Sequence, residues 1–281
     1  MGHKEAYTMG MFTAELRNLF TDLARYYIGS THIERGTKIK PADNTPVTDL
    51  DNFALVQLRR IISSRFPSDY TLGEEDGLNP DDIKQVLERQ DELQWTVDGL
   101  DGTWHYAAGT NSYGATIARR FGNKILYAVI FRPVDAQLRH NGFFWAERGK
   151  GAWEWCGDCI NYHQLRTAHA GKLGRMVVML EGSSKNFFRP PVSYVGEAET
   201  TRPSLSSCIA ATTVARGDAS ALVTVDNKPW DNWPSILLIE EAGGIVTDYQ
   251  GNPWSPENCG NIVAAANKAD HERILRLLNK N

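Results

Sequence analysis

The segment from Trp95 to Thr103 constrains the fold most, because it joins a strand to two carboxylates and a Gly-Thr pair. Residues 94–97 are aromatic and β-branched, which predicts a short buried strand. Asp98 and Asp101 follow at a spacing of three, and like charges held this close repel unless a cation lies between them. Carboxylate oxygens suit Mg²⁺, Mn²⁺ or Ca²⁺. The bare motif is equally compatible with a metal-free turn that caps the next helix.

Three other acidic segments favour the metal interpretation. Glu74 follows a predicted strand at residues 70–72, while Asp49 and Asp231 each open a predicted helix. Taken with Asp98 and Asp101, they are similar in order and spacing to the motifs of the inositol monophosphatase-like phosphatases. The resembling motifs are G-E-E, D-x-x-D-G-T, W-D and E-A-G-G, and the match covers most of the chain.

Two departures from that family pattern are visible in the central motif. Gly99 stands where the family usually has Pro, and Trp104 stands where it usually has Phe. The cysteines add little, since Cys156 and Cys159 form a C-x-x-C without a second pair of thiolates. We interpret that stretch as a structural turn.

The pattern of helices and strands predicts a mixed α/β (α+β) protein. Amphipathic helices at the start are followed by alternating runs separated by turn residues, which is typical of an antiparallel meander. The second half alternates strands and helices, which indicates an α/β arrangement. This change from an antiparallel meander to alternating strands and helices predicts a boundary between a part covering residues 1–155 and a part covering residues 156–281. The family resemblance implies a layered α-β-α-β-α sandwich.

The resemblance also implies how the acids are used. Glu74, Asp98 and the backbone carbonyl of Leu100 would bind one Mg²⁺ ion, and Asp98, Asp101 and Asp231 a second. Two or three ions are expected in each site, with Mn²⁺ as a substitute.

The same resemblance implies catalytic roles in the direct attack of water on a phosphate monoester. Thr103 and Asp49 would orient or deprotonate the water, with a hydrogen bond between them forming a proton relay. Glu74 would assist as a metal-bound carboxylate. The backbone N–H groups of Gly102 and Thr103 would hold phosphate oxygens. The alternative interpretation of Asp49, and also of Asp231, is a helix N-cap.

Residues that contact the rest of the substrate are less well marked. Thr224 occupies the position where inositol-preferring members have a Glu, and Leu205, Ser206 and Ser207 replace their G-T-A stretch. We include Thr224, Ser206 and Ser207 as candidate contacts. His105 and Lys185 are further candidates, although packing and solvent exposure respectively explain them as well.

The charge and the hydropathy of the chain limit the kinds of partner that we expect for it. The net charge of −4 and the pI near 6.0 give no general attraction to nucleic acid or to an anionic membrane. No apolar run approaches the roughly 20 residues of a membrane span. We therefore expect a cytoplasmic protein whose partner is a small phosphorylated metabolite. The resemblance adds a homodimer and sensitivity to lithium.

The sequence thus predicts a Mg²⁺-dependent phosphatase, with inositol-1-monophosphatase as the first assignment. Alternatives within the same chemistry are a histidinol-phosphate phosphatase, a 3'(2'),5'-bisphosphate nucleotidase and a fructose-1,6-bisphosphatase. A non-catalytic, protein-binding member of the fold and a calcium-buffering acidic cluster are alternatives from other classes.

Overall fold

The computed structural model arranges two β-sheets between three layers of helices. It describes residues 3–29, 36–40, 45–135, 140–156, 162–167, 176–182, 187–189, 191–204, 206–256 and 260–280. Three apolar clusters fill the spaces between the layers. The predicted α-β-α-β-α sandwich is confirmed.

The larger sheet has seven strands in chain order, preceded by a short antiparallel pair, β1 and β2. The first two strands of the sheet are parallel and all later neighbours are antiparallel, as the predicted meander requires. The separate pair is β1 (Lys38–Ile39) and β2 (Pro46–Val47). The strands of the larger sheet are β3 (Tyr70–Gly73), β4 (Leu93–Asp101), β5 (Gly114–Phe121), β6 (Lys124–Asp135), β7 (His140–Glu147), β8 (Gly151–Cys156) and β9 (Tyr162–Gln164).

The smaller sheet is mixed and has the order β11-β10-β12-β14-β13. Strand β10 pairs in parallel with both of its neighbours, whereas β14 is antiparallel to both of its own. The strands are β10 (Val177–Gly182), β11 (Thr200–Pro203), β12 (Ala221–Val225), β13 (Ile245–Asp248) and β14 (Ile262–Ala265).

Helices cover both outer faces of the two sheets and separate their inner faces. Helices α1 and α2 lie on the larger sheet, α6 and α7 lie between the sheets, and α5 and α8 lie on the smaller sheet. The helices are α1 (His3–Gly29), α2 (Asp49–Arg65), α3 (Pro80–Glu88), α4 (Thr103–Ala107), α5 (Val192–Ala198), α6 (Ser207–Ala215), α7 (Pro229–Glu241) and α8 (Lys268–Leu278).

Local sequence explains where α3 begins and why α1 packs on the larger sheet. Asn79 accepts hydrogen bonds from the N–H groups of Asp81 and Asp82 and caps α3, with Pro80 in the first turn. Helix α1 buries the apolar stripe of Phe12, Leu16, Phe20, Leu23 and Tyr27. This stripe, at a spacing of three and four, is why the helix packs on the sheet.

Helix α7 is attached to the larger sheet through its proline. Pro234 lies inside the helix, which begins five residues earlier at Pro229. Proline has no N–H to donate to the carbonyl four residues earlier. The Thr116 hydroxyl in β5 donates to that carbonyl, of Trp230, at 2.7 Å. This bond places the start of α7 against the strand that pairs with β4.

The predicted boundary at residues 155 and 156 falls at the end of β8, and one more strand of the larger sheet, β9, follows it. Among the described residues, no helix combines the length and the apolar character that crossing a membrane requires.

Candidate metal centre

Asp98 and Asp101 face the same side of the fold because the strand that carries them is irregular. In a regular strand, residues three apart point to opposite faces. Asp98 pairs with Thr116 and Asp101 with Gly114, and the register shifts between these two pairs. This bulge turns both carboxylates toward α7, and both are almost fully buried, at 3% and 5% exposure.

Asp231 completes a cluster of three carboxylates with Asp98 and Asp101, which we call the acid cluster. Carboxylate oxygens from the three residues all lie within 4.8 Å of one another. Asp231 is the third residue of α7 and not its N-cap, which is Lys228. Asp231 comes from the other half of the chain. The hydrogen bond between Thr116 of β5 and the carbonyl of Trp230 holds the start of α7, and with it Asp231, beside β4.

Glu74 lies beside the acid cluster at the end of β3, in a single 3₁₀ turn. Its charge contributes to the pKa of Asp98, and the two side chains are close enough to hydrogen-bond. Lys40 donates to Oε1 of Glu74 and to Oε1 of Glu75, both at 3.0 Å. Lys40 therefore balances the charge of the two glutamates at the outer edge of the site.

Burial and mutual repulsion disfavour ionisation of two of these acids, Asp98 and Asp231. Burial, followed by the charges of Glu74, Asp101 and Asp231, raises the pKa of Asp98 well above its usual value. The pKa of Asp231 is raised by burial and then by Asp101 and Glu74. Three carboxylates that lie this close together, all of them oxygen donors, fit a hard divalent cation such as Mg²⁺. The residues present thus satisfy the chemical requirements of the metal that the sequence predicts.

Thr103 pairs with Asp51, and the prediction of Asp49 as its partner is wrong. The Thr103 hydroxyl lies 3.1 Å from Oδ1 of Asp51 and 2.9 Å from the carbonyl oxygen of Leu100. Asp49 is the first residue of α2 and exposed, and Asp51, two residues on, faces the opposite way and is 1% exposed. The N-cap of α2 is Thr48, so Asp49 is not a cap either.

Asp51 also forms the capping box of α2, which fixes its orientation. Its Oδ2 accepts from the N–H of Thr48 at 2.7 Å and from the Thr48 hydroxyl at 2.5 Å. Burial raises the pKa of Asp51 to about 7, against the lowering effect of these two bonds. A carboxylate with this pKa, beside a hydroxyl, is suited to accept a proton near neutral pH.

Ser206 and Ser207 contact Asp101 and are not open to a substrate. Oδ2 of Asp101 accepts from the Ser206 hydroxyl at 2.6 Å and from the N–H of Cys208 at 2.9 Å. Oδ1 accepts from the N–H and the hydroxyl of Ser207, both at 3.0 Å. Both serines are buried. Their prediction as substrate contacts is corrected: they orient Asp101 at the start of α6.

Thr224 is also removed from the candidate substrate contacts. Its side chain is fully buried, and its hydroxyl donates to the carbonyl of Gly260 and accepts from Asn232 and from the N–H of Ile262. His105 uses both ring nitrogens, one with the Thr110 hydroxyl and one with the carbonyl of Ser204, each at 2.9 Å.

Lys185 and Leu205, which the sequence also singled out, lie outside the described residues. The backbone N–H groups of Gly102 and Thr103 precede the first hydrogen bond of α4, which runs from His105 to the carbonyl of Gly102. Helix formation leaves these two donors available, as the phosphate interpretation requires.

Close packing explains why Gly99 replaces the proline typical of the motif. A Cβ atom at Gly99 would lie 2.8 Å from the carbonyl oxygen of Asp51 and 2.9 Å from the N of Leu55. The carbonyl of Gly99 accepts a hydrogen bond from the buried Tyr27 hydroxyl of α1. Both helices of the outer layer, α1 and α2, therefore contact the bulge between Asp98 and Asp101.

Comparison with known proteins decides the family. The model of the inositol monophosphatase family matches residues 13–281. The chain belongs to this family. Its predicted family and fold are confirmed by this match together with the solved structures below.

Relatives of this inositol monophosphatase family member include proteins named Nus factor SuhB. The protein from Vibrio cholerae is 28% identical over 243 residues, which cover 83% of this chain and 84% of the relative. The protein from Escherichia coli K12 is 28% identical over 249 residues, covering 86% and 85%. These names do not support the expectation that nucleic acid is excluded as a partner, and they give no substrate.

Solved structures share the fold. SuhB from Bartonella henselae has a TM-score of 0.76 at 23% identity, with 99% of both chains covered. A staphylococcal IMPase complexed with products has a TM-score of 0.75 at 20% identity, covering 100% of this chain and 97% of that one.

Two residues of this family member's site, Asp51 and Glu181, were missed by sequence reasoning. Asp51 carries a local signal, since T-x-x-D at residues 48–51 has the spacing of a capping box. Glu181 is buried at the end of β10, where it accepts from the N–H of Ser206 at 2.7 Å. Burial, then the charges of Asp101 and Asp231, raises its pKa. Nothing in the local sequence marks Glu181, because only the pairing of distant elements brings it to the cluster.

Proposed function

We propose that the protein is a Mg²⁺-dependent phosphatase that hydrolyses a phosphate monoester of a small metabolite. The observation that carries the proposal is the convergence of Asp98, Asp101 and Asp231 within 4.8 Å, beside Thr103 with its buried carboxylate partner. A structural cluster would gain stability from neutral or cationic neighbours. Binding of a cation explains why three buried carboxylates are held this close together.

We assign metal binding to the carboxylates. Asp98, Asp101 and Asp231, with Glu74 at the edge, hold the metal. Bound Mg²⁺, as two or three ions, would supply a more acidic attacking water and neutralise charge on the leaving oxygen.

The hydroxyl of Thr103 orients the attacking water, and Asp51 receives a proton through it. The hydroxyl lies within hydrogen-bonding distance of Asp51 and of the carbonyl of Leu100. It can donate its one proton to Asp51 while its oxygen accepts a hydrogen bond from the water. The N–H groups of Gly102 and Thr103 bind phosphate oxygens.

Inositol 1-phosphate is the first substrate that we propose, and family membership supports it. Histidinol phosphate, 3'(2'),5'-bisphosphate nucleotides and fructose 1,6-bisphosphate are the alternatives. Because Thr224 is buried and fully hydrogen-bonded, any contact with substrate hydroxyls must come from other residues. Inhibition by lithium, a homodimeric state and a cytoplasmic location are further proposals that follow from the family.

A second candidate is a non-catalytic role in a protein assembly. The relatives named Nus factor favour it. The complete set of carboxylates and Thr103 favours catalysis, because a chain that only binds a partner has no need of buried like charges.

Phosphate release distinguishes the two candidates. The purified protein is incubated with a panel of monophosphates, including inositol 1-phosphate, with Mg²⁺ or with EDTA. We expect turnover that requires Mg²⁺ and is lost in Asp98→Asn. If no substrate releases phosphate under either condition while the protein is folded, the catalytic proposal is wrong.

A further inference from the structure

A cavity of about 510 Å³ lies against the larger sheet, on the side that α1 and α2 cover. Helix α2 packs on β4, and α1 packs on β6 and β7. Because helices are about 10 Å wide and strands about 4.8 Å apart, two helices cover about four strands. Strands β8 and β9 extend beyond them, and the cavity fills the angle between α1 and this uncovered part of the sheet.

Aromatic side chains form the sheet wall of the cavity. Trp145 lies opposite Trp153 across β7 and β8, and Phe143 lies opposite Trp155, which in turn lies opposite Tyr162. The Tyr162 ring meets Trp145 and Trp153 edge to face, each with centroids 5.6 Å apart. Such a wall offers several ring faces and edges to a flat ligand.

The helix wall is open because its residues are small. Gly10, Thr13 and Ala14 lie along one side of α1 and line the cavity. A Cβ atom placed on Gly10 would meet no atom within 4 Å. A bulkier residue at this position would therefore project into the cavity without displacing its neighbours.

Arg17, one turn further along α1, places a positive charge inside the aromatic wall. Its guanidinium carbon lies 5.0 Å from the centroid of the Trp155 ring. In the part of the chain that the structure describes, no carboxylate lies within 4 Å of this guanidinium. Lys150, which also lines the cavity, is in contrast paired with Glu147. The guanidinium donors of Arg17 are thus available to an anion.

We propose that this cavity binds a planar aromatic anion of the mononucleotide class. The base would stack against the tryptophans, the phosphate would pair with Arg17, and Glu147 would accept hydrogen bonds from the sugar hydroxyls or an exocyclic amine. The volume lies within the range of small-molecule sites. The cavity is separate from the acid cluster, since β8 lies four strands from β4, a distance of about 19 Å.

Calorimetric titration with adenosine 5'-monophosphate tests the proposal. EDTA is included, because the proposed phosphatase site would need Mg²⁺ to hold a phosphate between its carboxylates. We expect one AMP per chain, at least about tenfold weaker binding of adenosine, and no measurable binding of inorganic phosphate alone. Arg17→Gln and Gly10→Leu should each weaken AMP binding by about tenfold or more, the first by removing the cation and the second by filling the cavity.

Matched substitutions on the same helix serve as controls. Arg25→Gln removes an exposed arginine that pairs with Asp22, and Asn18→Leu adds an apolar side chain at an exposed position. Both should bind AMP as the wild type does, and all four variants should retain the wild-type melting temperature within a few degrees. The proposal is overturned if AMP does not bind at millimolar concentration, or if binding is equally affected in cavity and control variants. Equal affinity for adenosine and AMP would overturn the anionic part.

Discussion

The assignment of Asp51 in place of Asp49 gives the sharpest test of the catalytic proposal. The two aspartates stand two residues apart at the start of α2. Only Asp51 is buried and within hydrogen-bonding distance, 3.1 Å, of the Thr103 hydroxyl. Asp51→Asn keeps the size of the side chain but removes its ability to take up a proton. Asp49→Asn makes the same chemical change at an exposed position and is the matched control.

We expect Asp51→Asn to lower kcat by about 10²–10⁴-fold, the usual contribution of a general base, with little change in KM. Part of the capping box is also lost, which should cost about 1 kcal/mol of stability. Asp49→Asn should stay within about 0.5 kcal/mol and keep wild-type turnover. Both are checked by phosphate release at saturating Mg²⁺ and by chemical denaturation.

The pH profile separates a proton-accepting role from a structural one. Burial raises the pKa of Asp51 to about 7 in the metal-free protein, and bound cations would lower it. The rate should therefore rise with pH along an acidic limb at or below about pH 7, and Asp51→Asn should lose that limb. Wild-type turnover and pH dependence in Asp51→Asn, with a defect in Asp49→Asn, would refute the reasoning.

Three further outcomes follow from the geometry. Asp51, Asp98 and Asp231 have raised pKa values, so the folded metal-free protein retains protons that the unfolded chain releases. The melting temperature of the metal-free protein should therefore fall as pH rises from about 4 to about 7. Addition of Mg²⁺ at pH 7 should raise the melting temperature again. A melting temperature that rises with pH over this window without metal would contradict the assignment. Gly99→Ala should destabilise the protein by about 1–3 kcal/mol in urea denaturation, because the new methyl group overlaps the backbone of α2, and an unchanged midpoint would show that α2 moves freely. Tyr27→Phe should cost about 1–3 kcal/mol by leaving the buried carbonyl of Gly99 without its donor, and a neutral effect would show that another donor replaces the tyrosine.

Much of the fold could be predicted because its signals are local. The apolar stripe of α1, the Asn79 cap with Pro80, and the turn residues between β5 and β8 each specify an element from neighbouring residues. The missed elements are short. Helix α5 has seven residues and β9 has three, and segments of this length are determined by what packs around them.

The sequence by itself determined which chemistry is available here: carboxylates at a fixed spacing, a threonine after a glycine, and an order of motifs that identifies the family. The tertiary structure decided which of those groups meet. A bulge between Asp98 and Asp101 turns both toward α7, a hydroxyl from β5 docks Asp231 beside them, and one turn of helix selects Asp51 and excludes Asp49. The physical reason is that the direction of a side chain depends on the backbone register and on long-range packing, neither of which is encoded in the residues next to it.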